Sequence, residues 1–123
     1  MDQEAKKALA LNVSRLMEHH GFTQEGMAKK TGVSQRSISN LISIDSPHSP
    51  KLKTIEDVAQ AFNLQTWHLL LPDAPIDMLL NSSIEKVVSN YASASQEGRD
   101  MINRVSDREA AIAVQQVQRQ AKS

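Results

Sequence analysis

Apolar residues recur every three or four positions along most of the chain, the spacing typical of helices packed on a core. Leu9, Val13 and Leu16 show this spacing within residues 4–20, and they predict a first helix that ends at Gly21. Aromatic residues make up only 3% of the sequence, which favours helices packed through aliphatic side chains over a sheet rich in rings. The predicted fold class is therefore all-α.

The second and third predicted helices are short and are joined by a glycine. Thr23 and Ser34 are placed as N-caps, so we expect helix 2 to run from Thr23 to Gly32 and helix 3 to cover about residues 34–42. Gly32 can adopt the positive φ that a tight turn between them requires. The inward residues of helix 3 are predicted to be Ile38, Leu41 and Ile42. Its opposite side is polar.

Two further helices complete the first predicted domain. Residues 43–51 contain two prolines and three serines and are predicted to form a loop. Thr54 is expected to start helix 4, and Asn63 to end it in a left-handed conformation. Thr66 is expected to cap a short helix 5 that ends at Pro72.

The composition changes at the proline-containing run after helix 5, and we place a domain boundary there. Residues 1–72 are predicted to form one domain, and residues 73–123 a helical hairpin with a frayed, Gln-rich tail. A hairpin cannot bury all of its apolar surface by itself. It must therefore pack either on the first domain or on a second copy of the chain, and the pattern alone supports both alternatives equally.

Charge and composition limit the possible functions. The 14 Lys and Arg residues balance the 14 Asp and Glu residues, so a nucleic-acid surface would need positive charge that is concentrated locally. The chain has no Cys, which excludes disulfides, Cys-based zinc sites and a Cys nucleophile. No apolar run approaches the length of a membrane span, and we expect a cytoplasmic protein that makes no membrane contact.

Two short helices joined by a glycine-containing turn and flanked by supporting helices are the arrangement of a helix-turn-helix. The pattern of such a domain is carried by the summed set of Thr23, Gln24, Met27, Ala28, Thr31, Gly32, Val33, Ser34, Ile38, Ser39, Leu41, Pro50, Leu52, Thr54, Ile55, Val58, Ala59, Leu69 and Leu70. Through these residues, positions 9–71 resemble the phage-repressor-like (Cro/cI, XRE) helix-turn-helix family of bacterial and phage transcription regulators. The resemblance implies a five-helix DNA-binding domain. The sequence departs from the family pattern where helix 3 ends, at residues 42–44.

The resemblance also implies that helix 3 lies in the major groove of DNA and that its start and outer face contact bases. The residues at those positions are Ser34, Gln35, Arg36, Ser39 and Asn40. Their chemistry suits the task, because Gln and Asn pair with adenine, Arg with guanine and Ser with either. The residues expected to contact phosphates are Thr23, Gln24, Ser37, Lys51 and Lys53, with His48 and Ser49 near them in the loop.

We therefore expect a sequence-specific transcriptional regulator, a phage or prophage repressor that binds a palindromic operator in double-stranded DNA. One helix 3 spans only about four or five base pairs, so two copies on adjacent half-sites gain affinity and specificity. The need for two half-sites favours a homodimer over packing of the hairpin within one chain. The residues predicted to form the dimer interface are Leu80, Ile84, Val87, Val88, Tyr91, Met101 and Val105.

The alternative function is that of an antitoxin or adaptor, a module of the same fold that binds a partner protein through the C-terminal hairpin. We expect no catalysis, because the Ser and His residues lie in no catalytic motif and no Gly-rich phosphate loop is present. We expect no cofactor and no metal site. His19 and His20 cannot share an ion, since adjacent helical residues point about 100° apart.

Overall fold

The computed structural model describes residues 3–81 and 83–122, and every regular element in this part of the chain is helical. A 3-10 helix, Thr66–Leu70, lies between α4 and α5. The α-helices are α1 (Gln3–His20), α2 (Gln24–Thr31), α3 (Gln35–Ile42), α4 (Leu52–Ala61), α5 (Ile76–Leu80), α6 (Ser83–Ser93) and α7 (Gln96–Lys122). The predicted all-α fold class is confirmed.

The chain divides into two compact units, Met1–Asn81 and Ser82–Ser123. The first unit contains α1 to α5, and the second contains α6 and α7. The first unit thus extends past the boundary predicted at Pro72, because the segment after the proline packs on α1. Ala74 and Leu79 are 3% and 2% exposed, and both belong to the core of the first unit.

The core of the first unit is built from one face of each helix. Leu9, Val13 and Leu16 of α1 are fully buried, as their spacing predicts. α1 contacts α3, the 3-10 helix and α5, while α2 contacts α3 and α4. Complete burial of a side chain of this size stabilises the fold by about 1.5–3 kcal/mol. The central position of α1 therefore supports the short helices α2 and α3, which have too few residues to be stable alone.

A buried polar network fastens the chain after α4 to α1. The Asn12 side chain is 1% exposed, and its Nδ2 donates hydrogen bonds to the carbonyl oxygens of Leu69 and Leu71, both at 2.9 Å. Arg15 Nη2 donates to Asn12 Oδ1 at 2.7 Å and to the Ala74 carbonyl at 2.5 Å. Because an unsatisfied buried polar group costs about 1–3 kcal/mol, these bonds fix where the returning chain meets α1.

Two helix starts differ from the predictions. α4 begins at Leu52, before the predicted start at Thr54. Its N-cap residue is Lys51, whose side chain makes no cap hydrogen bond, so this start has no cap signal in the sequence. The helix predicted to follow a Thr66 cap is a 3-10 helix, and its N-cap residue is Gln65.

The residues predicted for the dimer interface do not all belong to the C-terminal hairpin. Leu80 is the last residue of α5, in the first unit, and Asn81 has an extended backbone with φ −131° and ψ 163°. Ile84 lies in α6, in the second unit. Leu80 therefore does not share a helix with Ile84 and Tyr91, and its predicted place in the C-terminal hairpin is corrected.

The second unit is a hairpin of α6 and α7. Arg99 donates from Nε to the Tyr91 carbonyl at 3.0 Å and from Nη2 to the Ala92 carbonyl at 2.8 Å, which satisfies the end of α6. Asn103 Nδ2 donates to the Tyr91 hydroxyl at 3.3 Å. α7 continues to Lys122 through the Gln-rich segment, where the sequence predicted a frayed tail. Gln is a good helix former, which accounts for the difference.

Candidate nucleic-acid interface

The turn between α2 and α3 is fixed by backbone and hydroxyl hydrogen bonds. Gly32 ends α2 at φ 75°, a left-handed conformation that strains other residues, and its N–H donates to the Ala28 carbonyl at 2.9 Å. The Thr31 hydroxyl donates to the Met27 carbonyl at 2.7 Å and accepts from the Val33 N–H at 3.2 Å. These bonds set the direction in which the chain enters α3.

The inner face of α3 is anchored in the core. Ile38 is fully buried and Leu41 is 2% exposed, while Ile42 packs on the core from its margin. Val33 and Ala28 are also packed against this core, in the angle between α2 and α3. With its inner face held in this way, α3 must turn its other face outward.

The outer face of α3 carries most of the residues predicted to contact bases. Gln35, Arg36 and Ser39 are exposed. Helical geometry places Arg36 about 160° and Ser39 about 100° from the buried Ile38, whereas Gln35, in the first turn, lies about 60° from it. Arg36 forms no ion pair or hydrogen bond with any residue that the structure describes. Its guanidinium group therefore keeps all of its donors available to an external partner.

Ser34 and Ser37 are engaged with each other at the start of α3. The Ser34 hydroxyl accepts a hydrogen bond from the Ser37 N–H at 3.1 Å and donates to the Ser37 hydroxyl at 2.9 Å. Ser34 is thus the N-cap that the sequence predicts. Because its hydroxyl hydrogen is used in the cap, Ser34 can offer a base or phosphate only an acceptor.

Asn40 lies at the edge of the outer face, next to the loop that follows α3. It is half-buried, and its Oδ1 accepts a long hydrogen bond of 3.5 Å from the Ser46 hydroxyl. Asn40 is therefore turned partly toward the loop, whereas Arg36 is exposed on the outer face.

A groove of about 280 Å³ separates α3 from the loop and the first turn of α4. Its lining is Ser37, Asn40, Leu41, His48, Ser49, Pro50, Lys51 and Thr54. The groove brings two predicted phosphate contacts, Ser37 and Lys51, to opposite sides of one concave surface. Thr54 is a groove residue that sequence reasoning missed, because the pattern assigned it as a helix cap.

The two lysines at the start of α4 differ in their surroundings. Lys53 Nζ lies 2.8 Å from Asp57 Oδ1, and this hydrogen bond together with the Asp57 charge raises the pKa of Lys53 above its usual value. Lys51 is exposed and forms no ion pair within residues 3–81 and 83–122. The positive charge of Lys51 is therefore more available to a phosphate than that of Lys53.

The start of α2 also faces solvent. The Thr23 hydroxyl accepts from the Gly26 N–H at 3.0 Å, so Thr23 is the predicted N-cap of α2. Gln24 is the first residue of α2 and is half-buried, at the positive end of the helix dipole. Glu25 pairs with Lys29 at 3.4 Å, with both side chains largely exposed, which partly offsets the positive charge on this helix.

Two short helices crossed over a glycine turn, with the second presenting a polar outer face, define a helix-turn-helix domain. In agreement with this geometry, residues 13–66 match the family model described as Helix-turn-helix. This part of the chain is therefore a helix-turn-helix of the XRE, Cro-like class, a family of DNA-binding regulators, as the sequence resemblance predicts. The match lies within the first unit. The curated proteins and the solved structures gave no match to the chain.

Metal binding and membrane insertion find no support in the described part of the chain. No group of three His, Asp or Glu residues there is placed to hold a metal ion. None of the helices described combines the length and the apolar character that crossing a bilayer requires.

Proposed function

We propose that the protein is a sequence-specific transcriptional repressor of the phage or prophage kind, which binds a palindromic operator as a dimer. In this proposal α3 lies in the major groove, and bound protein excludes RNA polymerase from the promoter. The observation that carries the proposal is the outer face of α3, where Arg36 and Ser39 are exposed away from a buried apolar face, with the exposed Gln35 in the first turn beside them.

The proposed base contacts follow from the chemistry of that face. Arg36 donates two hydrogen bonds to the O6 and N7 of one guanine, and Gln35 pairs with the N6 and N7 of one adenine. Ser39 and Asn40 contact the neighbouring bases, with Asn40 at the edge nearest the loop. Ser34 contributes as an acceptor at the start of the helix.

The proposed phosphate contacts flank α3 on both sides. On one side are Thr23 and Gln24, at the positive end of α2. On the other side are Ser37 and Lys51, which line the groove between α3 and α4, and Lys53, in the first turn of α4. Contacts on both sides of the recognition helix would fix its register on the duplex without adding sequence information.

Dimerisation supplies a second α3 helix, which binds the second half-site of the operator. Exposed apolar side chains of the second unit support it, since Val87, Val88 and Met101 are 55%, 47% and 54% exposed. Tyr91 and Val105 are exposed as well, and Ile84 is half-buried. Two α3 helices about one DNA turn apart would recognise a pseudo-palindrome.

The experiment that tests the function is selection of bound sequences from a random duplex library at near-physiological salt. The proposal predicts enrichment of a motif with two inverted half-sites whose centres lie about 10 base pairs apart. Recovery of sequences without any common motif, with affinity that disappears as salt rises, would show non-specific binding only and contradict the proposal.

The same exposed residues of α6 and α7 favour one second candidate, an antitoxin or adaptor that binds a partner protein through this hairpin. Unlike the repressor, an antitoxin or adaptor requires a stable complex with a different protein chain. Purification from the native host under mild salt decides between them: a stoichiometric second protein on the hairpin supports the adaptor, and a homodimer with operator affinity supports the repressor.

A further inference from the structure

The loop between α3 and α4 contains a stiff segment around His48. Pro47 precedes His48, and Ser49 and Pro50 follow it. Proline fixes its own φ and keeps the residue before it in an extended conformation, so Pro47 and Pro50 restrict the backbone on both sides of His48. His48 is therefore presented by a segment with few accessible conformations.

Two hydrogen bonds fasten this segment to α3. The His48 N–H donates to the Ser46 hydroxyl at 3.3 Å, and the Ser46 hydroxyl donates to Asn40 Oδ1 at 3.5 Å. Both bonds are long, and the neighbouring prolines add the stiffness that such bonds lack. The backbone of His48 is thus held beside the edge of α3 that borders the groove between α3 and α4.

The side chain of His48 lines this groove and is exposed to solvent. Its imidazole forms no hydrogen bond or ion pair with any residue that the structure describes. Both ring nitrogens are therefore available to an external partner.

The lining of the groove favours an anion as that partner. α3 contributes the neutral Ser37 and Asn40, whereas the loop and the start of α4 contribute His48 and the positively charged Lys51. In the described part of the chain, no carboxylate lines the groove. Hydroxyl, amide, imidazole and amine groups all donate hydrogen bonds, as an oxyanion requires.

The acidic residues nearest in sequence are placed elsewhere. Asp45 is exposed earlier in the loop, Glu56 is exposed on α4, and Asp57 is engaged in an ion pair on α4. None of the three lines the groove. A protonated His48 therefore has the positive charge of Lys51 in the same lining, and an anion that enters the groove compensates both charges.

We propose that His48 contacts a DNA phosphate as the imidazolium cation, so that binding of the duplex is coupled to uptake of a proton. Histidine changes its charge between about pH 5 and 8, and a phosphate in contact with the ring favours the charged form. DNA affinity should therefore rise as pH falls through this range. The inference rests on the DNA binding in the proposed function and adds a residue and a proton to its interface.

Substitution of His48 at two pH values tests the inference. The binding constant of the full chain for a duplex of mixed sequence is measured at about pH 8 and about pH 6, at one ionic strength. For the wild type it should rise by about fivefold for each bound chain as the pH is lowered. His48→Gln should bind at both pH values as weakly as the wild type at the higher pH. His48→Lys should bind at both as tightly as the wild type at the lower pH.

His19→Gln is the matched control. His19 is exposed in the last turn of α1 and does not line the groove, so this variant should keep the pH dependence of the wild type. The salt dependence distinguishes a phosphate contact from a structural role. In the wild type, the slope of log Kobs against log salt should be steeper at the lower pH by up to about one unit per chain. In His48→Gln the slope should be the same at both pH values.

Two results would overturn the inference: a wild-type chain with equal duplex affinity at both pH values, or a His48→Gln variant that keeps the pH dependence of the wild type. Both leave base recognition by α3 intact, because the duplex selection tests that recognition separately. A selection without a common motif would contradict the proposed function, yet the pH dependence of binding to mixed-sequence DNA would still support the contact by His48. A chain that binds no duplex at either pH contradicts both.

Discussion

Lys53 Nζ lies 2.8 Å from Asp57 Oδ1, one turn further along α4, at the edge of the proposed DNA surface. The Asp57 carboxylate offsets the positive charge of Lys53 near the phosphates. Asp57→Asn should therefore tighten binding to every duplex and steepen the salt dependence of the binding constant by up to about one unit. The slope of log Kobs against log salt measures this. Glu56→Gln, the same charge change at the neighbouring exposed carboxylate, is the control and should have the smaller effect.

Lys51 and Lys53 should contribute unequally to DNA affinity. Lys51 has no ion-pair partner among the residues described, whereas Lys53 is paired with Asp57. Lys51→Ala should therefore flatten the salt slope by about one unit, and Lys53→Ala by less. Both should leave the ratio of operator to non-operator affinity unchanged, because phosphates carry no sequence information. Equal losses in the two variants would show that the Asp57 pair opens on DNA.

Two substitutions of Ser34 distinguish its contribution to stability from its contribution to DNA binding. Ser34→Ala removes the cap bond to the Ser37 N–H and should lower the free energy of unfolding by about 0.5–2 kcal/mol in urea titrations. Ser34→Asp keeps a good cap and should retain stability, yet it should weaken DNA binding because it brings a negative charge to the duplex. If Ser34→Asp binds DNA as tightly as the wild type, the start of α3 does not approach the phosphates.

Asn12 should be a large contributor to stability without any role on DNA. Asn12→Ala leaves the carbonyls of Leu69 and Leu71 buried without their donor, at a cost of about 1–3 kcal/mol or more in unfolding free energy. The control is Ser14→Ala on the same helix, expected to change stability by no more than about 0.5 kcal/mol. Comparable losses in both variants would show that the network around Asn12 adds nothing specific.

The parts of the fold predicted from the sequence are those determined by local chemistry. Residue type and position predict Thr23 and Ser34 as N-caps and Gly32 and Asn63 as left-handed stops. All four are observed, with φ of 75° at Gly32 and 57° at Asn63. Each depends on one side chain and its own backbone. The outward face of α3 followed from the same periodicity.

The parts that could not be predicted depend on distant contacts. The pattern from residue 80 onward is equally compatible with a longer helix, but α5 packs on the core through Leu79 and ends at Leu80, where the backbone of Asn81 becomes extended. The Asn12 network joins residues far apart in sequence, and no spacing rule reveals it. The i, i+4 rule predicts the pair of Lys53 and Asp57 only if α4 includes Lys53, and the sequence predicts a start at Thr54 instead of Leu52.

Base recognition by the outer face of α3 is the premise of the proposed function, and repeating the duplex selection with Arg36→Ala tests it. The inverted repeat and its spacing should persist, while preference for one base pair, expected to contain guanine, should be lost in each half-site. Affinity for the original operator should fall by about 1–3 kcal/mol per contact. A motif identical to that of the wild type at every position, bound with unchanged affinity, would contradict this premise.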